Sequence, residues 1–296
     1  MGPEDVEPED EPDNVDQVEL VPLTAVIGAE VRGVDLRAPL AGRTRDRIHA
    51  ALMEHLVLFF RGQELSEEQQ LSFAANFGPP VSASVTRHRD VEARLFVELE
   101  DTADSPPKAD RWHTDVPFVP RPPDIAVLCM LDAPQVGGDT LWANLYAVYD
   151  SLSPAMQRAV ADLELELDLG EIRTTIAELY GDDYLRDLEA DFDVPRHPFV
   201  RVHPVTGRPA LYLCGDNMRG IVGMHHEESE VLLSLLLKHL DNPNVSCRWR
   251  WEQHDVAMWD ERCTNHRAVA DHYPSHRRIR RCLVGEGAPI GLSADA

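Results

Sequence analysis

Lysine is almost missing from this chain. Only Lys108 and Lys238 occur, against 26 arginines. Cysteine is sparse as well: Cys129, Cys214, Cys247, Cys263 and Cys282 make an odd set with no C-x-x-C pair. That argues against a disulfide framework and against a thiolate zinc site. No apolar run reaches the roughly 18 residues of a membrane-spanning helix. The stretch Leu56 to Phe60 is too short and too late for a secretory signal, and no lipidation motif is present. These absences make the cytoplasm the expected compartment. Positive charge is in deficit too. A net charge of -24 argues against nucleic acid or an anionic membrane as the main partner.

What remains is a chain of 296 residues, 43% hydrophobic, long enough for one large domain. Residues 1–16 carry eight acids, three prolines and no base. They bury too little apolar surface to fold and are expected to form a disordered acidic tail. Residues 17–296 are expected to form a single domain. Periodicity predicts strands within Gln17 to Arg32, at His55 to Phe60, Ala93 to Glu98, Ile125 to Leu131, Phe199 to His203 and Leu211 to Leu213. Three more follow, at Val245 to Trp251, Asp255 to Trp259 and Ile279 to Val284. Helices are predicted at Thr44 to Leu56, Ser66 to Phe77 (with Glu68 behind a Ser66 cap), Leu141 to Leu152, Pro154 to Leu165 and Glu227 to Leu240. Ile172 to Val194 reads as an irregular polar insert, and Pro204 to Gly207 as a hairpin turn. Many strands without a βαβ rhythm indicate an antiparallel, mainly β sandwich or barrel with added helices.

The pattern His-x-Asp occurs three times, at His88, His113 and His239. On a strand, alternate side chains share a face, so such a pair can reach one metal ion. His239 and Asp241 close a helix, where the two side chains point apart, and His88 with Asp90 sits in a charged, loop-like stretch. His113-Thr114-Asp115 is flanked by apolar and turn residues and is the better candidate. A third ligand is offered by His266, after Trp259-Asp260, with Arg277 and Arg281 downstream. Two imidazoles and one carboxylate suit an iron(II) centre with open positions. A zinc hydrolase uses similar ligands but leaves the paired arginines unexplained.

Several longer phrases resemble the taurine dioxygenase (TauD/TfdA) family of iron(II)- and 2-oxoglutarate-dependent oxygenases. They are Ile27 to Leu36, Leu58 to Gln63, Trp112 to Asp115 with Phe118 and Pro122-Pro123, Gly137 to Asn144, His197-Pro198 with Arg201 to Gly207, and Trp259 to His266. The resemblance runs over Val18 to Gly287. It implies a double-stranded β-helix, that is, a jelly-roll or cupin-like core. It also implies iron(II), 2-oxoglutarate and O2 as the cofactor set, with release of succinate and carbon dioxide. By residue match, His113, Asp115 and His266 are the expected iron ligands. Thr140 and Arg277 are expected to hold the distal carboxylate of 2-oxoglutarate, where an arginine fork donates paired hydrogen bonds. Arg281 is expected near the other carboxylate of the co-substrate and the acidic group of the substrate. A homodimer or homotetramer is implied as well.

The expected reaction is hydroxylation of a small anionic organic molecule. Desaturation or isonitrile formation on an amino-acid-like substrate uses the same cofactors. A non-catalytic jelly-roll binding protein is disfavoured by the intact His113, Asp115, His266 and Arg277. Ala83 takes the place of a histidine with which sulfonate- and alkyl-sulfate-oxidising members grip their substrate. Losing a charged donor costs about 1.5–3 kcal/mol, which argues against taurine and alkyl sulfates. Arg173 is the candidate replacement cation, and His88, His225 and His226 are further pocket candidates, though each of the four fits a surface position better.

Overall fold

The run Val57-Leu58-Phe59-Phe60 has no polar position, so it requires a sheet covered on both faces. The computed structural model, which describes residues 17–82, 95–190 and 194–292, puts this run inside an eight-stranded sheet. In chain order the strands begin with β1 (Glu19–Pro22), β2 (Ala29–Arg32), β3 (Val57–Phe60), β4 (Pro80–Val81), β5 (Phe96–Asp101) and β6 (Pro123–Asp132). Next come β7 (Thr140–Asn144), β8 (Glu164–Leu167), β9 (Arg196–Pro198), β10 (Val200–Val202), β11 (Pro209–Leu211) and β12 (Met218–Ile221). The last are β13 (Ser246–Trp249), β14 (Val256–Asp260), β15 (Thr264–Ala268), β16 (Arg277–Glu286) and β17 (Ile290–Gly291). The large sheet runs β1-β2-β3-β14-β6-β16-β4, with β5 also on β16. Its pairs are antiparallel except β2 with β3. Three smaller sheets, β13-β7-β15, β11-β10-β17 and β12-β8-β9, complete the jelly-roll.

Alternation along the central strands divides the apolar residues between two cores. Val57, Phe59, Ala126, Leu128, Ala257, Trp259, Ile279 and Leu283 face the smaller sheets. Leu58, Phe60, Ile125, Val127, Val256, Met258, Cys282 and Val284 face outward. There they meet α1 (Gly42–His55) and α2 (Glu67–Ala75) through Ile48, Leu52, Phe73 and Ala74. Aromatic rings join the sheets on the inner side: Phe59 stacks on Trp249 at 4.2 Å, and Trp142 meets Trp259 edge-on at 5.7 Å. Arg277 and Arg281 share the parity of Ile279 and Leu283 on β16, so both enter the inner space.

The β-rich sandwich, the Thr44 and Ser66 helices and the Pro204 to Gly207 hairpin match expectation. Ser66 closes its capping box with Gln69 rather than Glu68. Other expectations need correction. Thr140–Asn144 is strand, not helix, because it is paired on both sides by β13 and β15. The helix α3 (Leu145–Asp150) starts only where Asn144 caps it. Likewise α4 (Pro154–Val160) gives way to β8. The expected irregular insert is two helices, α5 (Ile172–Tyr180) and α6 (Asp182–Ala190). Their stripe, including Ile176 and Leu188, packs on Phe118 and Leu169, and the polar composition of the segment masked that stripe. A last helix, α7 (His226–Leu237), borders β12. Among the described residues no helix is long and apolar enough to cross a membrane, and all five cysteines are buried free thiols. The acidic segment 1–16 lies outside the described residues.

One buried ion cluster closes the end of β14. Asp260 is fully buried and receives Arg262 through Nε at 2.9 Å and a terminal nitrogen at 2.6 Å. His203 Nε2 donates to it at 3.0 Å. Burial opposes ionisation of Asp260, but Arg262 and His203 outweigh it and hold the carboxyl well below its usual range. The ionised carboxylate therefore stabilises the fold above about pH 4, and the contribution fades as pH falls through the depressed folded pKa. Arg262→Met should cost about 3 kcal/mol in urea unfolding at pH 7, since it strands a buried charge. A loss below about 1 kcal/mol would contradict this role.

Candidate active site

His113 and His266 lie far apart in sequence and are joined through the backbone. His113 N–H donates to His266 O at 3.0 Å, and His266 N–H to His113 O at 2.9 Å. The pair is an isolated bridge rather than part of a regular strand, so strand alternation is not what brings His113 and Asp115 together. Val116 explains why: its φ of 50° is left-handed, strained for a β-branched residue by about 1–3 kcal/mol. The chain therefore turns immediately after Asp115. Ligand atoms of His113, Asp115 and His266 still come within 4.8 Å of one another, with His266 Nε2 at 4.0 Å from Asp115 Oδ1.

The protonation pattern suits ligation. His113 Nδ1 lies 2.8 Å from Arg111 O, so it carries the proton and leaves Nε2 as the lone-pair donor. Burial, reinforced by His113, pushes the His266 pKa well below the ordinary imidazole range, leaving a neutral ring. Burial raises the Asp115 pKa, but the Arg281 guanidinium leads the opposing interactions and the carboxyl is brought down to about 2. Its Oδ1 is held by Arg281, whereas Oδ2 is buried and bonded to nothing.

Glu261 fixes this loop to the sheet. Its Oε2 accepts from Thr114 Oγ1 at 2.5 Å and from Asp115 N–H at 3.0 Å, while Oε1 accepts from Trp259 Nε1 at 2.6 Å. Arg201 holds its carbonyl oxygen. Burial and the adjacent Asp115 charge push the Glu261 pKa well up. The aromatic seam encloses His266, with the Trp259 ring centroid at 4.9 Å and that of Trp142 at 6.5 Å.

Thr140 opens β7, where its Oγ1 accepts from Trp251 Nε1 at 2.9 Å. Arg277 is 4% exposed, and its Nε donates to Gly138 O at 3.2 Å. Gly138 lies two residues before Thr140, which brings the guanidinium alongside the start of β7. Burial lowers the Arg277 pKa, countered by Asp101. Arg281 lies on the same face of β16, two strand repeats further on, with its Nε buried and unpartnered.

The family model described as "Taurine catabolism dioxygenase TauD, TfdA family" matches residues 19–283. The chain belongs to the TauD/TfdA family. It is 37% identical over 276 residues to an alkylsulfatase of Acinetobacter baylyi, covering 91% of this chain and 86% of that one. It is 36% identical over 282 residues to an alpha-ketoglutarate-dependent sulfate ester dioxygenase of Pseudomonas putida, covering 93% and 92%. Among solved structures, a putative alpha-ketoglutarate-dependent taurine dioxygenase from Burkholderia xenovorans superposes with a TM-score of 0.78 at 34% identity, covering 93% of this chain and 95% of that one. The chain is thus a 2-oxoglutarate-dependent dioxygenase, and iron(II), 2-oxoglutarate and O2 are its cofactor set. The residues fit that metal: two imidazole donors and a buried carboxylate with an orphaned oxygen ask for a cation.

Other candidates from the sequence take different places. Arg173 is engaged by Glu189 at 2.6 Å and by Asp168 at 3.3 Å, so two carboxylates already meet its charge. Ala83 and His88 lie outside the described residues. His225 caps α7, and His226 is exposed beside Glu230. In the third His-x-Asp match, His239 meets Ser151 and Asp241 accepts from Trp112 Nε1. A second donor cluster, His203, Asp260 and Cys263, is structural: His203 Nδ1 accepts from the Val205 and Thr206 amides, which leaves Nε2 as the donor to Asp260. Sequence reading assigned no role to Glu261. Its signal was its place inside the Trp259 to Arg262 phrase. Glu261→Ala should weaken metal affinity about 10- to 100-fold in a manganese(II) titration, as lost outer-shell contacts do. An unchanged affinity would remove Glu261 from the site.

Proposed function

We propose that this enzyme hydroxylates a small anionic organic substrate, with His113, Asp115 and His266 as iron ligands, Thr140 and Arg277 holding the distal carboxylate of 2-oxoglutarate, and Arg281 facing the anionic end of the substrate. One observation carries this reading: the three ligand residues meet within 4.8 Å, and β16 directs the buried Arg277 and the partly buried Arg281 toward the same interior. Bound iron with 2-oxoglutarate and O2 supplies the oxidising power, and decarboxylation of the co-substrate yields succinate and carbon dioxide.

The protein's own part is binding, orientation and exclusion of water. The Arg277 fork and the Thr140 hydroxyl recognise a planar carboxylate. Arg281 carries one hydrogen bond to Asp115 and an unused buried Nε, which supports its role as an anion partner. Trp142 and Trp259 line His266 with apolar surface and keep bulk water from the oxidation.

The relatives named for sulfate esters and alkyl sulfates bring those anions into the test, while Ala83 argues against them. A panel of alkyl sulfates, alkylsulfonates, aryloxyalkanoates and their uncharged isosteres, scored by succinate release and product mass, decides the matter. Anions should stimulate succinate formation and yield a product one oxygen atom heavier or, where the hydroxyl lands on the carbon bearing the sulfate, sulfonate or aryloxy group, the carbonyl fragment and the released sulfate, sulfite or phenol. Arg281→Gln should lower kcat/KM for the preferred anion about 10- to 100-fold. Equal turnover of the uncharged isostere, or a product two hydrogens lighter, would contradict the proposal.

A further inference from the structure

Asp101 stands opposite Arg277 in the β5–β16 register, an odd place for a carboxylate if Arg277 is to receive another one. The two are in contact, with Arg277 NH1 at 3.5 Å from Asp101 Oδ2. His272 Nε2 reaches the same oxygen at 3.2 Å, and its Nδ1 lies 3.3 Å from Val269 O. All three side chains are largely enclosed, with exposures of 5% for Arg277, 14% for Asp101 and 0% for His272. Gly138 completes the packing. A Cβ there would come within 2.8 Å of Pro134 Cγ, 3.2 Å of Arg277 Cδ and 3.3 Å of His272 Cγ. Its own N–H is held by Asp271 Oδ1 at 2.9 Å.

We propose that Asp101, backed by His272, is a positioning residue that fixes the Arg277 guanidinium at the angle at which 2-oxoglutarate is received. The inference rests on the reading of Arg277 as the co-substrate clamp. An arginine side chain is flexible and loses conformational entropy when it binds. Here Nε is fixed on Gly138 O and NH1 on Asp101, so much of that ordering is complete before the ligand arrives. A guanidinium has five N–H donors, enough to serve Asp101 and a second carboxylate together. In its Nε2–H tautomer, His272 donates to Asp101 and keeps it turned toward the arginine.

Calorimetric binding of 2-oxoglutarate to the manganese(II)-loaded protein, beside steady-state kinetics, tests this. Asp101→Ala should raise both Kd and KM for 2-oxoglutarate about tenfold with kcat within about twofold. Asp101→Asn keeps an acceptor for Arg277 and should stay within about threefold of wild type. His272→Phe removes the donor without touching the clamp and should raise Kd about threefold, which carries the test should Asp101→Ala fail to fold. Unchanged binding in Asp101→Ala or in His272→Phe, or an Asp101→Asn variant as weak as the alanine one, would overturn the positioning role. Arg277→Gln separates the two levels. If it binds 2-oxoglutarate as wild type does, the clamp reading fails. If it binds weakly while Asp101→Ala binds normally, only the inference about Asp101 fails.

Discussion

The site depends on one mutual pair of backbone hydrogen bonds, between His113 and His266. Neither residue is near the other in sequence, and the turn at Val116 leaves the loop no regular strand to lean on. The bridge sets the spacing of the two imidazoles. Glu261 then sets that of the carboxylate, because its side chain accepts from Thr114, from the Asp115 amide and from Trp259 at once. A buried carboxyl group on which three donors converge is a rigid joint. It transmits the position of β14 in the large sheet directly to the loop that presents Asp115.

The alternation of β16 does the equivalent work at the other end of the site. Ile279 and Leu283 must face the inner core, so Arg277 and Arg281 must face it too. A buried guanidinium such as that of Arg277, or a largely enclosed one such as that of Arg281, is costly unless it finds an anion. Arg281 finds Asp115 and Arg277 finds Asp101. The sheet pattern that stabilises the core thus also brings two arginines to the inner face beside the His113, Asp115 and His266 cluster.

Much of this was legible in the sequence because it follows from short-range rules. The alternation of Val245 to Trp251, the doubly buried run at Val57 to Phe60 and the glycine-marked hairpin at Gly207 all reappear in the structure. The His-x-Asp pair and His266 were recognisable by residue type, but their junction is a tertiary fact. Thr140–Asn144 misled because its composition tolerates a helix, and pairing on both edges decided for strand. The α5–α6 segment misled in the opposite direction: its apolar stripe is narrow and serves a small satellite cluster. Asp101 and His272 carried no local signal, since nothing in their neighbourhoods announces a partner on another strand. Ala83 remains a purely sequence-level observation, because it lies outside the described residues.

The central claim is that His113, Asp115 and His266 form one metal centre that also receives 2-oxoglutarate. Visible absorption under anaerobic conditions, with iron(II) and 2-oxoglutarate added together, measures this most directly. The account predicts a weak charge-transfer band in the wild-type protein and its loss in Asp115→Ala and in His266→Ala. No band in the wild type, or a band that persists in those variants, would contradict it.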